Sequence, residues 1–333
     1  MSNCPTCRQP IPVYRPKRIN MYWGPSKRDY GPPGFLKQAF DRLPNVECAR
    51  YECHGDPHLM GMADLHVCVD WGEDVGDYGA LMPLNPRVYW VSDTHVGPGA
   101  RQYRLEKAAQ FDRVYYNIMG DAETFEGVFA AREPKFHSWM NTSWMPYAVE
   151  PQLWKPCPDI AKSFDVGFIG HYGNYQARSD FLCDMVDEFG EGCYVGGDLY
   201  FEDQVRKMAS FTIVLNHAQA DSTNMRTFEA MSMGAVLLQP KTADLDALGF
   251  KDGVHLLTYS STDEAVAKAH DYLSRPADCA RIGEAARQII LERHTYIHRA
   301  AVMAQMVDIN LTNEEIMALN AIPAKELWWS DGD

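Results

Sequence analysis

The chain has 333 residues, 46% of them apolar and 23% charged, an ordinary balance for a folded globular protein with room for two domains. No run of eighteen apolar residues occurs and residues 1–20 lack a continuous apolar core, so neither a transmembrane helix nor a signal peptide is expected. The net charge of -14 is uneven: the first fifty residues carry nine basic side chains against three acidic ones, while residues 161–333 carry 14 against 26. A basic lead-in on an acidic protein suits a solvated face or contact with a polyanion. Nine cysteines, an odd number spread along the chain, fit a reducing compartment better than a disulfide framework, and a cytoplasmic location follows as the expectation.

In chain order, the first feature is Cys4-Pro5-Thr6-Cys7. A structural zinc site needs four ligands, and Cys4 and Cys7 supply two; Cys48, Cys53, His54 and His58 are the nearest residues able to complete it. The alternative is a pair of free thiols. Ile19–Trp23 reads as a strand, a glycine- and proline-rich loop follows, and Gly34–Leu43 reads as a helix. Glu47–Cys53, Leu65–Trp71 and Val88–Ser92 are further strand candidates, Arg101–Phe111 a helix and Arg113–Asn117 a strand. This alternation predicts a parallel α/β sheet.

Within that half, Val88 to His95 delivers Asp93 and His95 at the carboxyl end of a strand, just before Gly97-Pro98-Gly99. So placed, they can act as a base on a hydroxyl or shape the pocket that receives it; a capped turn is the plainer alternative. Asp70 to Asp74 ends another strand as an acidic turn. Asn141–Trp144, Tyr147 and Trp154 form an aromatic-rich stretch that suits stacking on a ring or, more commonly, core packing. Trp144 to Pro158 is rich in proline and reads as a stiff interdomain linker.

Asp165–Ile169 opens a second sheet, followed by Gly170-His171-Tyr172-Gly173 and a helix over Ala177–Phe189. Gly170, His171 and Gly173 let backbone approach a phosphate or a sugar closely, and Arg178 stands ready to pair with a diphosphate. Cys193–Gly197 is strand and turn, and Tyr200–Ala209 a helix. Phe211–Leu215, a polar loop from Asn216 to Asn224, a helix over Arg226–Met233 closed by Gly234, and a strand over Ala235–Gln239 then form a β-loop-α-β unit. Its loop lies at the carboxyl end of a strand, where open α/β sheets bind ligands. Amides around Asn224, Met225, Arg226 and Thr227 open the helix and favour an anion, and Arg226 adds a bidentate donor. Glu229, one turn in, can hold a pair of vicinal hydroxyls, and Asp221 can reach a sugar hydroxyl or a developing positive charge. The alternative is an ordinary capped helix with Glu229 in a surface salt bridge. Helices over Asp263–Leu273, Ala277–Glu292 and Asn313–Asn320 complete the chain.

The segment RTFEAMSMGAVLL resembles the nucleotide-sugar helix of GT-B glycosyltransferases, in the "glycosyl transferases group 1" branch that includes spore-maturation-type enzymes. That family carries an acidic residue, seven intervening positions and a glutamate, here Asp221 and Glu229, with Asp where Glu is usual. His294-Thr295-Tyr296-x-x-Arg299 resembles its closing motif, Trp90 to His95 an N-terminal-domain segment and the proline-rich linker its crossing segment. The resemblance covers about Asp165 to Met306.

It implies two Rossmann-like parallel-sheet domains facing a central cleft: residues 1–150 for the acceptor, 151–310 for a nucleotide-sugar, and 311–333 returning to the first domain. In the family the second acid holds the donor ribose and the first lies near the donor sugar. Transfer is expected to be retaining and to need no divalent cation, with a UDP-sugar the favoured donor. For the acceptor, a hydroxymethylated base in DNA, as in phage-type base glucosylation, stands beside a cell-surface glycan or a small metabolite. A nucleotide-sugar-binding protein without transferase activity is the reading from another class.

Overall fold

The computed structural model describes residues 15–23, 31–52, 62–70, 86–92, 100–121, 141–173, 175–197 and 199–322. The Cys4–Cys7 pair, Asp93, His95, Cys53, His54, His58 and the Trp328-Trp329 pair lie outside them.

Most of the strands are short apolar runs buried on both faces, the usual setting of a parallel sheet. The first sheet contains β1 (Lys17–Trp23), β2 (Val46–Glu52), β3 (Leu65–Asp70), β4 (Arg87–Val91), β5 (Arg113–Tyr116) and β6 (Asn141–Trp144), in the order β2-β1-β3-β4-β5-β6. All six residues of β3 are buried. Between its strands lie α1 (Pro32–Arg42) and α2 (Ala100–Ala108).

The second sheet contains β7 (Phe164–Ile169), β8 (Cys193–Gly196), β9 (Phe211–Leu215), β10 (Val236–Pro240) and β11 (Leu257–Tyr259), in the order β11-β10-β9-β7-β8. Its helices are α3 (Gln176–Phe189), α4 (Phe201–Ala209), α5 (Met225–Ser232), α6 (Leu245–Leu248), α7 (Thr262–Leu273), α8 (Pro276–Arg293), α9 (Tyr296–Ala304) and α10 (Asn313–Asn320). Every strand pairing in both sheets is parallel. The two-sheet architecture is the one expected.

Two elements differ from expectation. Asn141–Trp144, read as an aromatic-rich stretch for stacking or core packing, is an edge strand: it pairs with β5, and the Trp144 indole donates to the Asn117 carbonyl at 3.0 Å. Leu257–Tyr259 is a three-residue strand on β10, too short to show a period. The acidic turn after β3 also begins differently. Asp70 is buried, accepting from the Tyr89 hydroxyl at 2.6 Å and pairing with Arg104.

The linker is held by the closing motif. Val149 N–H donates to His294 O and Tyr296 N–H to Val149 O, each at 3.1 Å. Arg299 donates from Nε to Pro146 O at 3.0 Å and from Nη2 to Tyr147 O at 2.8 Å. The Tyr296 ring, at the start of α9, then packs on Phe35 of α1 and Trp90 of β4 in the first domain. One apolar cluster thus runs from Phe35 and Trp90 through Tyr147 and Tyr296 to Phe228 of α5. The His-Thr-Tyr-x-x-Arg spacing is a device for joining the domains.

Glu150, fully buried, forms an ion pair with Arg42 of α1, and its carboxylate also accepts from Gln152 N–H. Removing one charge of a buried pair strands the other. Glu150→Gln is expected to lower the unfolding free energy by about 3 kcal/mol in urea titrations.

Candidate donor site between the domains

The second sheet changes winding direction between β7 and β9, the position at which open α/β sheets bind ligands. Two loops leave the carboxyl ends there. After β7, Gly170 adopts φ +145°, and a Cβ at this position would collide with the Arg226 guanidinium, so only glycine fits. His171 and Gly173 continue this loop and are exposed.

After β9, the buried side chain of Asn216 is the hub of the second loop. Its Nδ2 donates to Asn224 Oδ1 at 3.1 Å and its Oδ1 accepts from Asn224 Nδ2 at 3.1 Å. The same Oδ1 accepts from Arg226 Nη1 at 3.1 Å. Asn224 occupies the N-cap of α5 as expected, but its side chain is spent on Asn216 and caps nothing in the helix. The first amides of α5 therefore have no side-chain cap; Thr227 N–H donates to Asn224 O at 3.1 Å, which leaves those of Met225 and Arg226 to receive an anion.

The remaining members of the expected set divide. Arg226 donates to Ile169 O and Asn216 Oδ1 and lies over the Phe168 ring, 4.2 Å from its centroid. It clamps the two strand ends together. Burial lowers its pKa to about 10, which leaves it cationic at neutral pH. Arg178 uses Nε on His217 O at 2.8 Å and Nη1 on His171 O at 2.6 Å, two of its five N–H groups, and lines the cavity between the domains. Thr227 turns inward, its hydroxyl donating to Gln239 Oε1 at 2.7 Å, and Met225 packs against the apolar cluster.

Asp221 is exposed and accepts from Ala243 N–H at 2.9 Å, tying its loop to the one after β10. Asp244, fully buried, reinforces that tie by accepting from Thr223 N–H at 2.8 Å, Thr223 Oγ1 at 2.7 Å and Ser222 Oγ at 3.0 Å. The helix itself ends in a Schellman motif. Gly234, at φ +70°, donates to Met231 O, and Ala235 donates to Ala230 O.

Glu229 is 7% exposed, and no donor among the described residues reaches its carboxylate. It does not form the surface salt bridge of the alternative reading. Burial raises its pKa to about 7, and the Arg226 charge offsets this only in part. The Tyr296 hydroxyl, whose ionisation is opposed by burial and then by the Glu229 charge, is likewise buried without a partner among the described residues.

Beyond the N-cap of α5, a cavity of about 240 Å³ is lined from the second domain by Tyr175, Arg178, Ser222, Thr223 and Asn224, and from the first by Asn117, Ile118 and Tyr147. The residues that sequence reasoning missed, Asn117, Asn216 and Asp244, are polar groups just past strand ends. Position after β5, β9 and β10 was the only signal they carried.

Among the described residues no cluster of three or more His, Cys, Asp or Glu could hold a metal ion. Cys48 lies in β2, where burial drives its thiol pKa well up. No helix of the described residues is long and apolar enough to cross a membrane.

Comparison with known proteins places this geometry. Two parallel-sheet domains around one cleft are the GT-B fold. HepE of Anabaena, solved in complex with UDP-glucose, superposes with a TM-score of 0.61 at 14% identity over 88% of this chain and 99% of that one. An alpha-glucosyltransferase solved with UDP and a DNA containing an HMU base gives 0.63 at 10% identity, over 88% and 100%. Sucrose-phosphate synthase of Thermosynechococcus elongatus gives 0.59 at 12%, over 88% and 98%. No curated protein sequence matches the chain. Residues 161–305 match the family described as "Glycosyl transferase-like". The chain has the GT-B fold, and its second domain matches the glycosyl transferase-like family model.

The Glu229 environment has a consequence for stability. Between its unfolded pKa of 4.5 and its folded value of about 7, the native state binds a proton that the unfolded chain has lost. Stability from this group is therefore full below about pH 4.5 and is lost as the pH rises through 7, a total of about 3 kcal/mol. Glu229→Gln is expected to raise the urea unfolding free energy by about 3 kcal/mol at pH 8 and by under about 1 kcal/mol at pH 5.

Proposed function

We propose that the protein transfers a sugar from a nucleoside-diphosphate donor, with UDP the favoured nucleotide, to an acceptor hydroxyl. The observation that carries this reading is the buried, unpartnered Glu229 carboxylate one turn inside a helix whose first amides have no side-chain cap. A carboxylate so placed needs donors, and a ribose diol supplies two hydroxyls. The α5 amides and Arg178 then receive the diphosphate, with the Gly170 to Gly173 backbone closing over it.

In the reaction the bond between the anomeric carbon and the diphosphate oxygen breaks, and a bond from that carbon to the acceptor oxygen forms. The acceptor hydroxyl proton leaves, and negative charge develops on the departing diphosphate. Arg178, the helix dipole and the Arg226 charge behind them stabilise that negative charge. Asp221 is assigned to the donor-sugar side. Asp93 and His95, which follow β4 in sequence, are assigned to the acceptor. The UDP preference draws on HepE and the alpha-glucosyltransferase, both solved with UDP.

For the acceptor, a DNA base and a glycan or small metabolite separate on charge. In the basic first fifty residues, Arg15 pairs with Asp64, Arg18 with Glu47, Lys37 with Asp41 and Arg42 with Glu150, and Arg50 lies over the Trp23 ring. These five of the nine cations, already engaged within the fold, would release few counterions on a phosphate backbone, which favours an acceptor that is not a polyanion; Arg8, Lys27 and Arg28 lie outside the described residues.

A thermal-shift panel of UDP- and GDP-sugars tests the donor. A UDP-sugar at 100 times its Kd should add about 2.7 kcal/mol of stability, and Glu229→Ala should abolish the shift. If no nucleotide sugar moves the melting point, the donor assignment fails. UDP release measured with duplex DNA containing 5-hydroxymethyl bases and, separately, with glycans should rise only with the latter. Asp93→Asn and His95→Ala should cut turnover while leaving donor affinity within about twofold. Donor binding with no release under any acceptor would identify a binding protein instead.

A further inference from the structure

The residue that begins α5 is of a type strongly preferred for capping helices, and it does not cap. Asn224 already has the extended backbone of an N-cap, φ -123° and ψ -179°, so its side chain can take an amide of the first turn with no change of main chain. Thr227 N–H is bonded to Asn224 O, which leaves Arg226 N–H as the amide it would take. Instead the side chain turns back to Asn216, fully buried just past β9, and the two amides pair reciprocally, each Nδ2 donating to the other's Oδ1 at 3.1 Å. Arg226 Nη1 donates to Asn216 Oδ1, and Asn216 Nδ2 donates also to Gln239 Oε1 at 3.3 Å, so the Asn216 amide is held in one orientation.

A side-chain cap and a bound anion compete for the same amide. Diverting Asn224 therefore costs α5 the stability of a cap and keeps its amino end open. A second group marks the same place as one for an anion. Arg178 is 7% exposed and lines the cavity together with Asn224. Its bonds go to two carbonyls, those of His217 and His171, and its Nη2 has no partner among the described residues. A guanidinium so enclosed, with donors to spare, suits a negative charge opposite it.

We infer that Asn216 is a positioning residue for the donor diphosphate: by holding the Asn224 side chain in an amide pair, it keeps the first amides of α5 uncapped for the anion. The inference rests on the donor reading above and adds to it the group that keeps the phosphate end open. Asn216 is fully buried and acts through Asn224, without touching the ligand. Its loss frees Asn224 to cap the helix and compete with the phosphate, so removing the Asn224 side chain as well undoes part of the damage.

The test measures UDP affinity by calorimetry, alongside apo melting points, on the full chain and its variants. Asn216→Ala should bind UDP roughly 3- to 10-fold more weakly than wild type, the worth of one helix cap. Adding Asn224→Ala to it should tighten UDP binding again by about threefold or more, a rescue that a merely structural role does not give. A second pair leaves Asn216 in place and decides the matter if its variants do not fold. Serine and alanine at position 224 both lose the amide pair, but only serine caps. Asn224→Ser should therefore melt above Asn224→Ala and yet bind UDP roughly 3- to 10-fold more weakly than it does. The inference is overturned, with the donor reading intact, if Asn216→Ala binds like wild type or the double variant binds no tighter than Asn216→Ala. A serine variant that melts no higher than the alanine one, or binds UDP as tightly, overturns it equally. Wild type that does not bind UDP defeats the donor reading, and this inference with it.

Discussion

Arg226 holds together the place where the second sheet reverses its winding. β7 and β9 are neighbours there, and their loops diverge to opposite sides. One guanidinium donates to the last carbonyl of β7 and to the Asn216 side chain just beyond β9, while stacking on Phe168. The position of α5, and of every group α5 presents, follows from that clamp. Gly170 is bound by it too, since any side chain there would occupy the guanidinium's place. A residue expected to meet the ligand directly is thus engaged in setting the geometry around it, and its charge still reaches the site through space.

A second constraint joins the domains. The backbone bridge between Val149 and Thr295 and the Arg299 bonds to Pro146 and Tyr147 turn the chain so that α9 packs on α1. The cavity walls come from separate sheets, yet a continuous apolar cluster supports both. Among the described residues the Tyr296 hydroxyl is buried without a partner and no donor reaches the Glu229 carboxylate, while at the cavity wall Asp244 takes the hydroxyls of Ser222 and Thr223.

Most of the strands and helices were legible from local signals because they depend on neighbours in sequence. Phe211–Leu215 is apolar throughout, and Gly234 ends α5 where a positive φ is required. The failures have equally local causes. β6 reads as an aromatic stretch because an edge strand of four residues has no period of its own. Asn224 reads as a helix cap, and it stands at the cap, but Asn216, eight positions earlier, takes its side chain. The surface salt bridge considered for Glu229 does not form because the helix face that carries it is buried, and burial of a face depends on what packs there.

What the sequence by itself determined is the order of most strands and helices, the parallel α/β character of the fold and the segment that opens α5, all of which follow from periodicity, turn residues and motif spacing within about thirty positions. Only the tertiary structure decided which polar side chains are consumed and which are left facing the cavity. Arg226 finds Ile169 across 57 positions and Arg42 finds Glu150 across 108. Hydrogen-bond satisfaction is settled by three-dimensional neighbours, and a linear pattern does not carry that information.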